Sequence, residues 1–214
     1  MPSQAKTQFA TAEYQSTGLA SLSSQLGPVE SVIHLASAES LIEFPGISSL
    51  PGLERFLIAY RDRILVPVEL PAILSAYDLT VKQHALELIS LDQEMASTMP
   101  SDSFSNASAR VGKVQLKRLR PLKDSRLIQK YISALDKGRV QGWHTLVYGL
   151  SLATYSIPIV QGLQNYCEQT LVSFAQAGIL KLNQPETSIS SILEPALNPL
   201  PQLIQVCIEK CSLK

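Results

Sequence analysis

Residues 140–167 read VQGWHTLVYGLSLATYSIPIVQGLQNYC and contain no Asp, Glu, Lys or Arg. A charge-free run of this length could cross a bilayer, but its many Gln, Asn, Ser and Thr side chains would be costly in lipid. Pro158 and Gly162 also interrupt it. The stretch therefore predicts two helices, at 143–155 and 158–177, paired at the centre of the domain, and no membrane span.

Helical spacing continues through the rest of the chain. Leu50, Leu53 and Leu57 recur at intervals of three and four, with Ser49 placed to cap the helix and Pro51 in its first turn. No alternating run is long enough to predict a sheet. These patterns predict an all-α fold, a single-domain helical bundle of about eight to ten helices over residues 28–214. Residues 1–27, rich in Ser, Gln, Ala and Thr, are predicted to form a flexible N-terminal arm.

Local signals also predict where individual helices begin and end. Pro67 and Pro71 bracket the start of a separate helix over residues 68–77. Residues 80–83, TVKQ, match a capping box and predict that the next helix starts there. Gly178 is predicted to end the long helix that begins at 158, as a left-handed C-cap.

Composition limits the classes of function. Charged residues make up 17% of the chain and the formal net charge is zero, which predicts neither nucleic-acid binding nor long-range electrostatic steering. No stretch resembles the apolar core of a signal peptide. The cysteines form an odd set without Cys-x-x-Cys spacing, so they predict no disulfide framework or zinc site and fit a cytoplasmic protein. They are Cys167, Cys207 and Cys211.

Candidate catalytic and metal-binding residues are sparse. The three histidines, His34, His84 and His144, lie 50 and 60 residues apart, and none has another ligand at the close spacing of metal pairs. His84 falls on an apolar helical face and is predicted to be packed there. There is no Gly-x-Ser-x-Gly elbow and no glycine-rich phosphate loop. The chain is predicted to be no enzyme and to bind no metal or cofactor of its own.

One basic cluster follows residue 112. It is predicted to be a solvated face, with an acidic partner surface as the alternative; nucleic acid ranks third because no aromatic residues alternate with the cations. A glycine within a helix costs about 0.5–1 kcal/mol relative to alanine, so Gly112 predicts a close approach of another backbone or a kink. The cations are Lys113, Lys117, Arg118, Arg120, Lys123, Arg126 and Lys130.

Two segments carry a family resemblance. GWHTLVYG at 142–149 resembles the Gly-x-His-x-x-Val-x-Gly element of the UreF family of urease accessory proteins, and ASARVGK at 107–113 resembles that family's Ala-Ser-x-x-Met-Gly-Arg helix. VELP at 68–71 is similar to the family's Val-Asp-Leu-Pro, and LNQ at 182–184 to Leu-Gly-Gln. The order and spacing of these elements agree with the family.

An N-terminal stretch departs from the family further. PVESVIHLASAE at 28–39 aligns with the family's Pro-x-Gly-Gly-Phe-x-His-Ser-x-Gly-Leu-Glu and matches it at Pro28, His34 and Glu39. Glu30 and Ser31 replace the two adjacent glycines. The resemblance therefore covers the chain from about residue 28 onward, and is weakest at this loop.

The resemblance implies a function through protein contacts. UreF-like proteins are helical, dimeric, non-catalytic scaffolds that bind a UreD/UreH-type accessory protein and recruit the nickel-carrying GTPase UreG to apo-urease. By resemblance, Arg110, Gly112 and Lys113 belong to the recruitment or dimer region and His144 and Gly149 to the central helix; His34 and Glu39 complete the implied partner-binding set. The alternative is a diverged helical adaptor of the same fold that serves another assembly.

Overall fold

The computed structural model describes residues 28–98 and 103–212, with side chains from 35 to 97 and from 105 to 211. All regular structure within these ranges is helical, which confirms the all-α prediction. The predicted arm at 1–27 lies outside the described residues. The helices are α1 (Pro28–Leu41), α2 (Leu50–Tyr60), a π-helix (Arg61–Glu69), α3 (Leu70–Val81), α4 (Ala85–Thr98), α5 (Ser103–Arg118), α6 (Arg126–Asp136), α7 (His144–Thr154), α8 (Ile159–Leu182), a short 3-10 helix (Glu186–Ser188), α9 (Ile189–Leu197) and α10 (Leu200–Ser212).

Helix α7, from the charge-free stretch, lies at the centre of the molecule. Every residue from Thr145 to Leu152 is buried. Its most extensive helix contact is with α3. Gly149 permits this contact, since a Cβ there would overlap the carbonyl oxygen of Ile73 and lie 3.0 Å from the Cβ of Ala76. The prediction of a buried central helix is confirmed for α7, but its main partner is α3 rather than α8, because glycine lets the α3 backbone approach.

Two apolar cores lie on either side of the α3–α7 pair. One is built from α1, α2, the π-helix, α8, α9 and α10, and the other from α4, α5 and α6; α3 and α7 contribute to both. Aromatic rings join α2 to α8 in the first core, where the ring centroids of Tyr60 and Phe174 lie 4.7 Å apart in an edge-to-face arrangement. The central pair therefore couples the two halves of the bundle.

The π-helix joins α2 to α3 without a break, so the prediction of a separate helix starting at Val68 is wrong. Pro67 lies inside this segment. Proline lacks an N–H and its ring clashes with the carbonyl of the preceding α-helical turn, and the wider π-helical turn makes room for the ring. Arg61 anchors the segment, because its guanidinium donates hydrogen bonds to the carbonyl oxygens of Pro195 at 3.0 Å and Ala196 at 3.1 Å, near the end of α9.

The capping box predicted at residues 80–83 is wrong. Thr80 lies in the last turn of α3, where its hydroxyl donates to the carbonyl oxygen of Ala76 at 2.7 Å, and the next helix starts at Ala85. A threonine hydroxyl can bond the carbonyl four residues earlier as well as a free N–H at a helix start. Thr80 is buried, where its hydroxyl needs a partner, and the carbonyl of its own helix supplies one.

The predicted end of α8 at Gly178 is also wrong. The helix continues to Leu182 and ends at Asn183, which adopts a left-handed backbone with φ of 53°. Asparagine tolerates this conformation better than most residues with a side chain. Gly178 instead allows close packing, because a Cβ there would overlap the side chain of Leu53 on α2.

One continuous helix, Leu50–Val81, is long and apolar enough by length and composition to cross a membrane. The core helix of a soluble protein passes the same test. This helix contains Arg61, Asp62, Arg63 and Glu69, and its apolar residues supply much of the first core. The charge-free stretch at 140–167 does not pass the test within the described residues.

Candidate functional site

The two family-like segments meet at Gly112. This residue lies on α5, and a Cβ there would overlap the carbonyl oxygen of Gly142 and lie 2.8 Å from the backbone nitrogen of His144. The predicted close approach of another backbone at Gly112 is confirmed, and that backbone belongs to the same chain. A hydrogen bond lies beside it, where the His144 N–H donates to the Ser108 hydroxyl at 3.3 Å. We call Ser108, Gly112 and residues 142–144 the α5–α7 contact.

Asp92 holds the loop side of the α5–α7 contact in place. Its carboxylate on α4 is fully buried and accepts hydrogen bonds from the N–H groups of Gln141 at 2.6 Å and Gly142 at 2.9 Å. The Tyr131 hydroxyl donates to the same carboxylate at 2.6 Å. The indole N–H of Trp143 donates to the backbone carbonyl of Asp92 at 3.1 Å. This network fixes Gly142 in its left-handed conformation, with φ of 72°.

Asp92 is not among the residues predicted from the sequence. The signal that could have found it is its position four residues after Leu88, on the buried side of α4. A carboxylate on an apolar helical face needs several donors to offset the loss of water. Its donors lie 39 to 50 residues away in sequence, so the pattern of α4 alone could predict a buried acceptor but could not name its partners.

His144 starts α7 and is half-buried. Its ring centroid lies 5.7 Å from that of Tyr166 on α8 and 6.2 Å from that of Tyr148 on α7, and the two tyrosine rings lie 5.0 Å apart. The Tyr148 hydroxyl donates to the carbonyl oxygen of Gly162 at 3.0 Å. His144 therefore links the α5–α7 contact to a tyrosine cluster in the first core.

A buried carboxyl group, Glu69, lies at the other end of that cluster. The Tyr60 hydroxyl donates to it at 2.9 Å. Burial raises the pKa of Glu69 from its ordinary 4.5 to about 7, although hydrogen bonds with Tyr60 and Tyr166 lower it. The sequence offers Glu69 only as part of a family-like motif, VELP at 68–71. Its position four residues after the buried Leu65 is the signal for a buried carboxyl.

Glu69 makes stability depend on pH. Its pKa is higher in the folded state, so the folded state holds the proton more tightly and stability falls as pH rises from about 5 through about 7. A difference of this size corresponds to on the order of 3 kcal/mol. We expect Glu69→Gln to remove most of this loss, measured as the free energy of unfolding in urea between pH 5 and pH 8. The exposed Glu209→Gln serves as the control and keeps the wild-type slope; a wild-type slope in Glu69→Gln would contradict the assignment.

The predicted basic residues of the site face outward. Arg110 and Lys113 lie on the exposed side of α5, one turn apart and therefore on one face of the helix. The aliphatic stem of Lys113 passes over the loop, since its Cγ would lie 3.8 Å from a Cβ at Gly142. Arg110 and Lys113 therefore lie on the outer side of α5, and Gly112 lies on its inner side against His144 of α7.

Glu39 belongs to a different set of contacts. Its side chain is buried, accepts a hydrogen bond from the Ile47 N–H at 2.6 Å and pairs with the Lys181 ammonium at 2.9 Å. It ties α1 to the loop after it and to the end of α8. His34 also lies on α1, and its side chain lies outside the described residues.

The described side chains offer few reactive groups. They include no group of three or more His, Cys, Asp and Glu placed to hold a metal ion. Burial raises the pKa of the Cys167 thiol well above its usual range and that of Cys207 to about 11, which keeps both thiols neutral and unreactive. The prediction that His84 packs in an apolar face is wrong, because it is exposed, with its Nδ1 lying 3.7 Å from a Glu87 carboxylate oxygen.

The sequence of this chain matches a known protein family over part of its length. The UreF family model matches residues 47–183, and no curated protein matches the chain. The matched range contains the whole α5–α7 contact together with Arg110, Lys113 and Gly149, and it leaves out His34 and Glu39. Because the match covers more than half of the 214 residues, the chain belongs to the UreF family of urease accessory proteins.

Proposed function

We propose that this protein is a non-catalytic scaffold for nickel insertion into apo-urease. Membership of the UreF family makes it a urease accessory protein. In the proposed role it binds a UreD/UreH-type accessory protein and recruits the UreG GTPase, as a homodimer in the cytoplasm. The α5–α7 contact carries this proposal, because it joins the two family-like segments inside the matched range.

The α5–α7 contact supports binding by holding α5 rigid. A surface whose backbone is already fixed loses less conformational entropy when a partner binds. Gly112 and Ser108 lock the inner side of α5 to the start of α7, so Arg110 and Lys113 are presented on the outer side from a fixed backbone. In this proposal they contact the partner, while Gly112 and Gly149 act through packing.

The two N-terminal residues of the proposed site, His34 and Glu39, lie on α1, next to α5. Helix α1 packs against α5, so His34 and Glu39 belong to an element that borders it. Glu39 is buried and acts by positioning: its bonds to Ile47 and Lys181 fix the loop after α1. His144 is half-buried beside the α5–α7 contact, and in this proposal it supports the α5 backbone.

We expect Arg110→Ala/Lys113→Ala to weaken binding to the accessory proteins about tenfold, since each exposed charge pair contributes up to about 1 kcal/mol. The free energy of unfolding should change by less than about 1 kcal/mol because both side chains are exposed. The measurements are the dissociation constant and the urease activity obtained from apo-urease, nickel, GTP and the accessory proteins.

The matched control is Arg55→Ala/Lys82→Ala, which removes one exposed cation on α2 and one directly after α3 and should leave binding and activation unchanged. Wild-type binding and activation by Arg110→Ala/Lys113→Ala would remove these residues from the partner site. Activation that is equal with and without the wild-type chain would overturn the proposed function.

A second candidate function is a helical adaptor for another assembly. The family match begins only at residue 47, and residues 30 and 31, where the family has two glycines, lie within α1. Two adjacent glycines would cost about 1 kcal/mol each in a helix, so the replacements favour this helix over a flexible loop. An adaptor would bind neither urease accessory protein, which separates it from the first proposal.

A further inference from the structure

Charge is strongly segregated in this neutral chain. Ten of its 18 Lys and Arg residues, and two of its 18 Asp and Glu residues, lie between positions 105 and 140. This sixth of the chain carries eight excess positive charges, and the remainder carries eight excess negative charges. The net charge of zero therefore conceals a local field, and electrostatic steering, which the overall composition did not predict, is available to this surface.

All ten cations are exposed. On α5 the exposed positions 110, 113, 114 and 117 follow helical spacing and form one stripe. Val114 is 48% exposed within this stripe and adds an apolar contact among the cations. Six cations lie at or beside the α5–α6 turn, and one of them, Arg120, pairs with Asp136. We call the other five the basic surface: Lys117, Arg118, Lys123, Arg126 and Lys130.

The turn that carries the basic surface has a fixed shape. The Gln129 side-chain amide donates to the carbonyl oxygens of Leu122 at 3.0 Å and Arg120 at 3.4 Å, which holds the start of α6 against the end of α5. The Ser125 hydroxyl caps α6 by accepting from the Ile128 N–H at 3.4 Å. Arg120 forms an ion pair with Asp136. The cations are therefore presented from a rigid frame.

We propose that the basic surface is a docking site for the carboxylate-rich face of a protein partner in the urease maturation complex. This inference rests on the proposed function and extends its site from Arg110 and Lys113 along the α5–α6 turn. Exposed charges at an interface mainly increase the association rate and select a partner of opposite charge. A protein is favoured over nucleic acid because Tyr131 is the sole aromatic residue between 105 and 140 and its ring is buried, so no aromatic side chain there can stack on bases.

The test compares two triple variants that remove the same charge. Lys117→Gln/Arg118→Gln/Lys123→Gln, the basic-surface variant, removes three of the five cations of the basic surface, and Arg55→Gln/Lys82→Gln/Lys210→Gln neutralises three exposed cations elsewhere. Binding of each variant to the purified UreD/UreH-type protein and to the UreG-type GTPase is measured at about 0.1 M and about 0.5 M salt, which spans weak and strong screening. Circular dichroism and the melting temperature verify that both variants fold.

At low salt, we expect the basic-surface variant to bind one of the two proteins about tenfold more weakly than the wild type does. Its own affinity should then fall little further when the salt concentration is raised, because fewer charges remain to be screened. The control variant should match the wild type at both salt concentrations. A basic-surface variant with wild-type affinity and salt dependence would overturn the inference and leave the proposed function standing. A wild type that binds neither protein would overturn the proposed function, and this inference with it.

A 20-residue single-stranded RNA, titrated in parallel, tests the other macromolecular class. We expect weak binding that differs little between the two triple variants. The inference would be overturned if the basic-surface variant alone lost RNA binding while it kept wild-type binding to both proteins. That result would assign this surface to nucleic acid.

Discussion

Asp92→Ala is expected to lower the free energy of unfolding by about 3–5 kcal/mol, because it removes the shared acceptor of three hydrogen bonds. The carboxylate accepts hydrogen bonds from Gln141, Gly142 and Tyr131. Without it, the Tyr131 hydroxyl and the Gly142 N–H lose a buried acceptor and the Gln141 N–H a part-buried one, and each buried unsatisfied group costs about 1–3 kcal/mol. The left-handed Gly142 then loses the bonds that hold it against α5.

Urea unfolding of Asp92→Ala measures this loss. The matched control is Asp78→Ala, which removes an aspartate exposed on α3 and its ion pair with Lys82; this change should cost less than about 1 kcal/mol. Asp92→Asn retains the shape and one acceptor oxygen and should fall between the wild type and Asp92→Ala. If the stability of Asp92→Ala lies within about 1 kcal/mol of the wild type, the network does not hold the loop.

Gly112→Ala is expected to cost about 3 kcal/mol or more, at the upper end of the range for overpacked sites. Alanine is the better helix former by about 1 kcal/mol, so a helix that packed against nothing here would gain stability. The new Cβ instead overlaps the carbonyl oxygen of Gly142 and crowds the backbone of His144. Backbone atoms cannot move aside by changing rotamer, so α5 must separate from the start of α7.

The matched control for Gly112→Ala is Gly52→Ala in the first turn of α2. The nearest atom to a Cβ there is the Ser49 hydroxyl oxygen at 3.2 Å, and a small shift of this side chain relieves the contact. We expect this variant to stay within about 1 kcal/mol of the wild type. Near-wild-type unfolding and partner binding by Gly112→Ala would mean that the α5–α7 contact does not organise the site.

Local sequence signals predicted the helices where no distant contact competes with them. Ser49 caps α2, with its hydroxyl accepting from the Gly52 N–H at 3.2 Å, and Pro51 lies in the first turn as expected. Gly112 was correctly assigned to a close backbone approach, because a glycine within a helix lowers stability unless its missing side chain makes room for a neighbour. The second backbone could not be identified in advance, since residues 142–144 are about 30 positions away in sequence.

The predictions that failed are those in which tertiary structure selects between two local solutions. Pro67 would end most helices, but here the chain adopts a π-helix that keeps α2 and α3 continuous, with Arg61 anchored on α9. Thr80 can cap a new helix or bond within the old one, and its burial selects the second. Gly178 can end a helix or allow close packing, and Leu53 occupies the space beside it.

The two buried carboxyl groups in and beside the site could be predicted only in part. Helical spacing places Asp92 and Glu69 on buried faces, yet nothing in α4 or the π-helix indicates which donors meet them. Those donors come from the loop before α7 and from α6 for Asp92, and from α2 and α8 for Glu69. Such a network becomes evident only when the helices are assembled, which is why sequence patterns found the glycines of the site but not the acid that holds its loop.

The most direct test of the proposed scaffold function is to co-purify this chain with the UreD/UreH-type and UreG-type proteins of its own organism and to measure the complex mass by light scattering. We expect a stable complex that contains two copies of this chain. If the folded, soluble chain associates with neither protein, the scaffold function is wrong.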